Sequence, residues 1–300
     1  LVIEVRGLTK FYGKKQALDS VSFEVRDGEI VGFVGRNGAG KTTTIEISVG
    51  VKVPTKGDVL LDGYSITKDK ARASKTVGWV PEYPFFDPDM RAFDYFLYVA
   101  SMRGLSRGEA VSLGRELFEE VGLAGNERKK IRDYSQGMRK RLALAISMID
   151  NPKNFFFDEV LNGLDPEGIR FFRELALKFR KEGKSVLFSS HILSEVEALA
   201  DRVVFISKGK IVKVMTMEEI RAMGLTKSFM VAFLSEEYAR KAVDSLSSFG
   251  KVRQEREVIY IDDFNGDVEG VARAVKDLNF VHMGWVRRSL EDIFFQIVGE

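Results

Sequence analysis

Gly35-Arg36-Asn37-Gly38-Ala39-Gly40-Lys41-Thr42 fits G-x-x-x-x-G-K-[ST], the spacing of a phosphate-binding loop. Its flanks fit as well. Glu29-Ile30-Val31-Gly32-Phe33-Val34 is an apolar run of buried-strand length. Thr43 to Gly50 predicts one short helix, stopped by the glycine and then by Pro54. A strand, a glycine-rich turn and a helix start are what phosphate binding requires. Glycines let backbone N–H groups converge on phosphates without side-chain clash. The helix N-terminus adds roughly half a positive charge. On this reading Gly35, Asn37, Gly38, Ala39, Gly40, Lys41, Thr42 and Thr43 form the nucleotide-binding set. Lys41 reaches the β- and γ-phosphates, and the Thr42 hydroxyl ligates Mg²⁺.

The chain has 300 residues, room for about two domains. Apolar residues make up 45%, enough for a packed core. Charged residues make up 30%, but the net charge is only +2. That balance leaves no global footprint for nucleic acid or an anionic membrane. With no cysteine, a disulfide framework and thiol chemistry are excluded, which fits a reducing cytosol. No apolar run approaches ~18 residues, so no membrane-spanning helix is expected. Leu1 to Arg6 alternates like a strand rather than reading as a signal peptide.

Val2 to Arg6 and Leu18 to Val25 alternate with period two and predict antiparallel strands. Between them lies Thr9-Lys10-Phe11-Tyr12-Gly13. Tyr12 either stacks on an adenine face or packs as a turn residue on the sheet; the residues alone allow both. Gly57 to Gly63 and Val77 to Val80 read as further strands. From Asp87 to Asn151 the pattern turns helical: Phe93, Phe96, Leu97 and Ala100 share one face, as do Leu113, Leu117, Phe118 and Val121. This predicts a helical insert in an α/β domain.

Asn154-Phe155-Phe156-Phe157-Asp158-Glu159 is an apolar strand ending in two acids. Open parallel sheets bind ligands at the carboxyl ends of their strands. Asp158 is therefore placed to hold Mg²⁺, and Glu159 to orient or deprotonate an attacking water. Ser185 to Ser190 is another buried strand. His191 follows it at the same edge, where it either meets the γ-phosphate region or serves the fold. Val203 to Ile206 and Ile211 to Val214 form a hairpin around Lys208-Gly209-Lys210. The basic run from Arg128 to Arg141 lacks the interleaved aromatics of a single-strand binder and predicts a solvated helical face.

The composition shifts near 217–226, which predicts a linker. The remainder reads strand, helix, strand, strand, helix, strand, the ferredoxin-like order. Ser289 to Phe294 reads as a capped final helix. This α+β domain, over 227–300, carries no catalytic constellation; its His282 is expected to be structural.

Tyr134-Ser135-Gln136-Gly137-Met138-Arg139-Lys140-Arg141 resembles the signature of ABC transporter ATPases, usually written LSGGQ at a helix start. Phosphate loops occur in many NTPases; this second element is specific to that family. The resemblance implies an α/β P-loop cassette over 1–216. It would have a mostly parallel core sheet, an antiparallel β subdomain and a helical subdomain at about 85–151. It also implies that Ser135, Gln136 and Gly137 bind the γ-phosphate of a nucleotide held by another subunit. Tyr12 resembles the adenine-stacking aromatic, Glu159 the catalytic glutamate and His191 the switch histidine. Asp165 resembles the end of the D-loop, which crosses the dimer interface. Glu82 stands where the family's Q-loop glutamine is usual and remains able to ligate Mg²⁺. Gln136 stands at a usual glycine, Val160-Leu161 at a common Pro-Thr, and Arg36 at a common proline. None removes a required donor or acid. The final helix resembles the tail of exporter-type cassettes related to drug and antibiotic efflux.

The expected function is therefore MgATP hydrolysis at a head-to-tail dimer of this chain with itself or a paralogous cassette. The dimer would power a membrane permease on a separate chain, peripheral to the cytoplasmic face of the cell membrane. The aromatic segment Tyr83 to Phe86, with Phe93, Tyr95 and Tyr98, either receives that permease or forms the core of the helical insert. The rival is a soluble ABC ATPase acting on ribosomes or DNA. Such proteins usually carry two cassettes or a long coiled coil, and this chain shows neither.

Overall fold

A computed structural model describes residues 2–299. The chain divides into two compact units, one running to Met217 and the other from Glu218 to Gln296. The described residues from Ile297 onward are counted with the first unit.

The first unit is built on two sheets. Strands β1 (Ile3–Tyr12), β2 (Lys15–Val25), β4 (Lys56–Leu61) and β5 (Tyr64–Ser65) form an antiparallel sheet in the order β2-β1-β4-β5. Strands β3 (Ile30–Val34), β6 (Val77–Val80), β7 (Asn154–Phe157), β8 (Ser185–Ser189), β9 (Arg202–Ser207) and β10 (Lys210–Thr216) form a second sheet, ordered β10-β9-β3-β8-β7-β6. All its pairings are parallel except that of β10 with β9. The two sheets differ in pattern because they differ in burial. β3, β7 and β8 are buried at every position and read as continuous apolar runs. One apolar core joins the sheets, with Phe23 of β2 lying 5.3 Å from Phe33 of β3.

Helices cover the sheets. α1 (Lys41–Ser48) follows the phosphate loop, and α2 (Lys70–Lys75) precedes β6. Between β6 and β7 lie α3 (Ala92–Met102), α4 (Arg107–Glu120) and α5 (Gln136–Ser147). Their predicted faces meet: Phe93, Phe96 and Phe118 form an aromatic cluster with centroids 5.2–6.3 Å apart. A Ser106–Glu109 capping box starts α4. Helices α6 (Pro166–Lys181) and α7 (Leu193–Leu199) complete the unit. Phe155 of β7 stacks on Phe179 of α6 at 4.0 Å, and both are buried. Phe155→Ala should therefore destabilise the protein by about 3–5 kcal/mol, the usual cost of emptying a buried aromatic site. Denaturant unfolding followed by fluorescence would measure it; a loss under 1 kcal/mol would mean the site collapses.

The second unit contains α8 (Met217–Met223, its first residue in the first unit), β11 (Leu225–Phe233), α9 (Glu236–Leu246), β12 (Lys251–Glu255), β13 (Val258–Asp262), α10 (Val268–Val275) and β14 (Phe280–Arg287). The sheet is antiparallel, ordered β12-β13-β11-β14. Counting from β11, this is 2-3-1-4, with both central strands flanked as the βαββαβ order requires. Helix α11 (Leu290–Val298) starts on Ser289, whose hydroxyl accepts from Asp292 N at 3.2 Å while Asp292 Oδ2 accepts from Ser289 N at 2.8 Å.

The stretch expected as a linker, 217–226, is instead α8 followed by the start of β11. Its apolar residues explain the difference: Met217 and Ile220 sit on one helical face and are both buried. β5 and α2 were also unforeseen, being too short to show a period. Among the described residues, no helix is long and apolar enough to cross a membrane.

Candidate functional site

Four neighbouring strands of the parallel sheet, β3-β8-β7-β6, end along one edge. Each delivers a different group: β3 the phosphate loop, β8 Ser190 and His191, β7 Asp158 and Glu159, and β6 Pro81 and Glu82. This is the carboxyl edge at which such sheets bind ligands.

The loop needs its glycines. Gly38 and Gly40 have φ of 78° and 113°, and a Cβ on Gly40 would fall 2.6 Å from Leu18 Cδ2. Lys41 is buried; its Nζ donates to Gly35 O at 2.7 Å and lies 3.4 Å from Glu159 Oε1. The lysine of the loop and the acid after β7 are thus already paired.

The two acids share one hydroxyl. Ser189 Oγ donates to Asp158 Oδ1 at 2.6 Å and accepts from Glu159 N at 2.9 Å. Asp158 is 2% exposed. Burial pushes its carboxyl above the usual range, against hydrogen bonds from Ser189 and Thr42. Glu159 has φ of 46°, a left-handed conformation that costs a non-glycine residue on the order of 1–3 kcal/mol. Its carboxylate is fixed from both sides: Oε1 faces Lys41, and Oε2 lies 2.9 Å from His191 Nδ1 and accepts from His191 N at 3.3 Å.

A cavity of about 650 Å³ opens over the loop. It brings together Tyr12, Asn37, Gly38, Gly40, Lys41, Thr42, Thr43, Glu82, Glu159 and His191 from the predicted set. Tyr12 keeps 43% of its surface exposed, with Lys10 Nζ and Lys52 Nζ at 5.2 and 5.4 Å from its ring centre. Glu82 bonds the Tyr83 hydroxyl, which pushes that phenol upward. Gly35, Ala39 and Asp158 do not line the cavity; Gly35 acts through its carbonyl on Lys41 and Asp158 through its bond to Thr42.

Ser135, Gln136, Gly137 and Asp165 are not brought to the cavity. Ser135 Oγ caps α5 by accepting from Met138 N at 3.2 Å. Asp165 Oδ1 caps α6 by accepting from Gly168 N at 2.8 Å. Ser135, Gln136 and Asp165 are exposed.

Other residues join the site without having been predicted: Lys15 and Gln16 on β2, Asn162 after the acids, and Lys208-Gly209 in the β9–β10 turn. Ser189 is likewise new. No local pattern marks them, since only strand order places them beside the loop. The basic run also departs from expectation at its end. Lys140 is 2% exposed rather than solvated, and Arg141 Nη1 donates to Val121 O at 2.9 Å. On α5 these two residues turn inward, while Arg139 stays outside.

The donor set fits a magnesium–nucleotide complex. Among the described residues, no cluster of three His, Cys, Asp or Glu side chains forms a ready metal cage. Mg²⁺ accepts that arrangement, because it takes one or two carboxylates and completes its shell with phosphate oxygens and water. Buried Asp158, bonded to Thr42, is a carboxylate whose charge a cation would neutralise.

Residues 18–162 match the family model described as ABC transporter. An uncharacterized ABC transporter ATP-binding protein of Bacillus subtilis, YhcH, is 40% identical over 220 residues, covering 73% of this chain and 71% of that protein. A second from the same organism, YdbJ, is 32% identical and covers 98% of this chain and 94% of its own length. The bacitracin transport ATP-binding protein BcrA of Bacillus licheniformis is 36% identical, covering 73% of this chain and 71% of that protein. Among solved structures, an ATP-binding subunit of an ABC transporter is similar at TM-score 0.68 and 28% identity, over 74% of this chain and 93% of its own. The loop, the paired acids and a helix capped by Ser135 thus sit in a chain that aligns with transport ATPases, and the protein belongs to the ABC transporter family as an ATP-binding, ATP-hydrolysing subunit.

Proposed function

We propose that the chain hydrolyses MgATP in a head-to-tail dimer and that closure and reopening of this dimer drive a separate membrane permease. One observation carries the reading. The chain holds two helix starts suited to an anion, at Lys41 and at Ser135, and only the first lies at its own cavity. The second is exposed and available to the nucleotide of a partner. A dimeric cassette among similar structures, at 21% identity and TM-score 0.64, shares the fold.

In the cavity, Tyr12 stacks the adenine and the loop amides and Lys41 bind the phosphates. Thr42 and Asp158 would hold Mg²⁺, with Glu82 a weaker outer ligand whose charge repels theirs, and the ion would neutralise charge on the β- and γ-phosphates. Glu159 takes the proton of the attacking water, and His191 holds its carboxylate. Catalysis is mostly positioning and charge neutralisation. Tyr83, Phe85 and Tyr98, all more than half exposed, present an aromatic surface beside Glu82 for the permease. The bacitracin and lantibiotic transport proteins among the relatives favour export and transport over a ribosomal or DNA-bound role. The protein would then lie on the cytoplasmic face of the membrane. The C-terminal unit, with its ferredoxin-like sheet, is assigned a regulatory or dimer-stabilising part.

A magnesium titration tests the site. Glu82 adds a third carboxylate near Asp158 and Glu159, and like charges repel unless a cation screens them. Glu82→Gln should therefore lower the Mg²⁺ concentration that gives half-maximal ATP hydrolysis. A clear rise would instead make Glu82 a strong direct ligand. Hydrolysis independent of Mg²⁺ would overturn the metal assignment.

A further inference from the structure

Lys140 carries one of the most buried charges in the first unit, at 2% exposure. A buried ammonium is costly unless its donors are bonded. Three backbone carbonyls bond it: Glu159 O at 3.2 Å, Val160 O at 2.8 Å and Asn162 O at 2.5 Å. An ammonium has three donors, so the cage is complete. All three acceptors belong to the loop that begins at Glu159. That loop has two left-handed residues, Glu159 and Gly163, at φ of 46° and 72°. Its own turns supply bonds from Asn162 N to Glu159 O at 3.1 Å and from Leu164 N to Leu161 O at 3.2 Å, and Lys140 adds an anchor from outside the loop.

α5 supplies that support along one face. Gln136, four residues before Lys140, lies on the same side. A Cβ on Gly163 would come within 2.6 Å of Gln136 Nε2, so this side chain lies against the same loop. The helix that opens on exposed Ser135 is thereby bonded to the segment carrying the acid through Lys140 and packed against it through Gln136. Burial pushes the Lys140 ammonium down to about 8, against the pull of Glu82 and Glu159.

We propose that Lys140 is a positioning residue whose ammonium fixes the 159–162 backbone, keeping the Glu159 carboxylate aimed and joining it rigidly to α5. Where α5 meets a partner's nucleotide, as the shared-site reading requires, Lys140 links that contact to the acid of its own chain. The positioning role itself does not depend on the dimer; it rests on the assignment of Glu159.

The test is a double-mutant cycle on the full chain. Lys140→Met should lower kcat for MgATP by about 10–10²-fold, the scale of a misplaced catalytic group, while KM and the affinity for a fluorescent ATP analogue change less than about twofold. Lys140→Gln, which keeps two donors, should fall between Lys140→Met and the unsubstituted protein. In a Glu159→Gln background, Lys140→Met should cost less than about twofold more, because it acts through the group already lost. Multiplied losses would overturn this proposal alone, as would unchanged kcat per folded molecule. Normal turnover in Glu159→Gln by itself would overturn both the acid's role and this proposal. If Lys140→Met does not fold, Lys140→Gln completes the same cycle with the same criteria.

Discussion

Glu159→Gln should turn over MgATP about 10²–10⁴-fold more slowly than the unsubstituted protein, the usual worth of a general base. Its nucleotide affinity should stay near normal. The geometry gives the reason. Glu159 Oε1 is 3.4 Å from Lys41 and Oε2 is 2.9 Å from His191 Nδ1, so the carboxylate is held at the cavity by two cation-capable groups. The amide preserves shape and a hydrogen bond to His191 but cannot take a proton. The strained backbone at φ 46° is untouched, since glutamine occupies it no worse. Stalled hydrolysis should also accumulate the ATP-bound dimer. Steady-state hydrolysis, nucleotide titration and light scattering with ATP read these three effects. Near-normal turnover by the purified variant would remove Glu159 from the base role.

Lys41→Ala and Ser135→Arg should each abolish measurable hydrolysis as homodimers, and mixing them should restore it. Removing Lys41 strips the buried cation from the phosphate loop; losing one such preorganised charge costs roughly 10²–10³-fold. Ser135→Arg places a bulky cation at the start of α5, where Ser135 caps Met138 N. In a shared-site dimer, one site of the mixed pair inherits both lesions. The other combines an intact loop with an intact signature. Random exchange makes about half the dimers mixed, each with one working site, so about a quarter of normal activity should return. Hydrolysis and ATP-dependent dimer formation are both followed, with subunit exchange verified by differential tagging. No recovery in either assay, with mixed dimers present, would falsify the shared site.

The nucleotide half of the site was legible because its chemistry is local. The loop spacing from Gly35 to Thr42 dictates its own backbone: Gly38 and Gly40 take left-handed conformations that other residues resist, and the helix start follows at Lys41. The two acids after Phe157 were legible for a similar reason, since an apolar strand can end in charge only where the sheet meets water or a ligand. The alternation and helical periods likewise gave most elements of both units, although α6 and α7 were not foreseen. The short β5 and α2 were lost because two to six residues cannot display a period, and α8 was lost because its buried side was a single pair, Met217 and Ile220.

What the sequence determined by itself was therefore the pattern of each segment: a glycine-rich loop with phosphate-binding spacing, a pair of acids ending a strand, a second helix start at Ser135 and an α+β unit. What only the tertiary structure decided was which segments share a site. Strand order β3-β8-β7-β6 sets Glu82, Glu159 and His191 around the loop, although they are distant from it along the chain. It also makes Ser189 the shared partner of both acids. Lys140 shows the same limit most clearly. In sequence it belongs to a basic run and reads as solvated. In the fold, α5 turns it onto three carbonyls of the Glu159 loop. Backbone hydrogen-bonding groups are the same at every residue, so no sequence pattern announces which ones will be left without partners. Glu159 O also accepts from Asn162 N in its own turn, and only packing brings the lysine that reaches it together with Val160 O and Asn162 O.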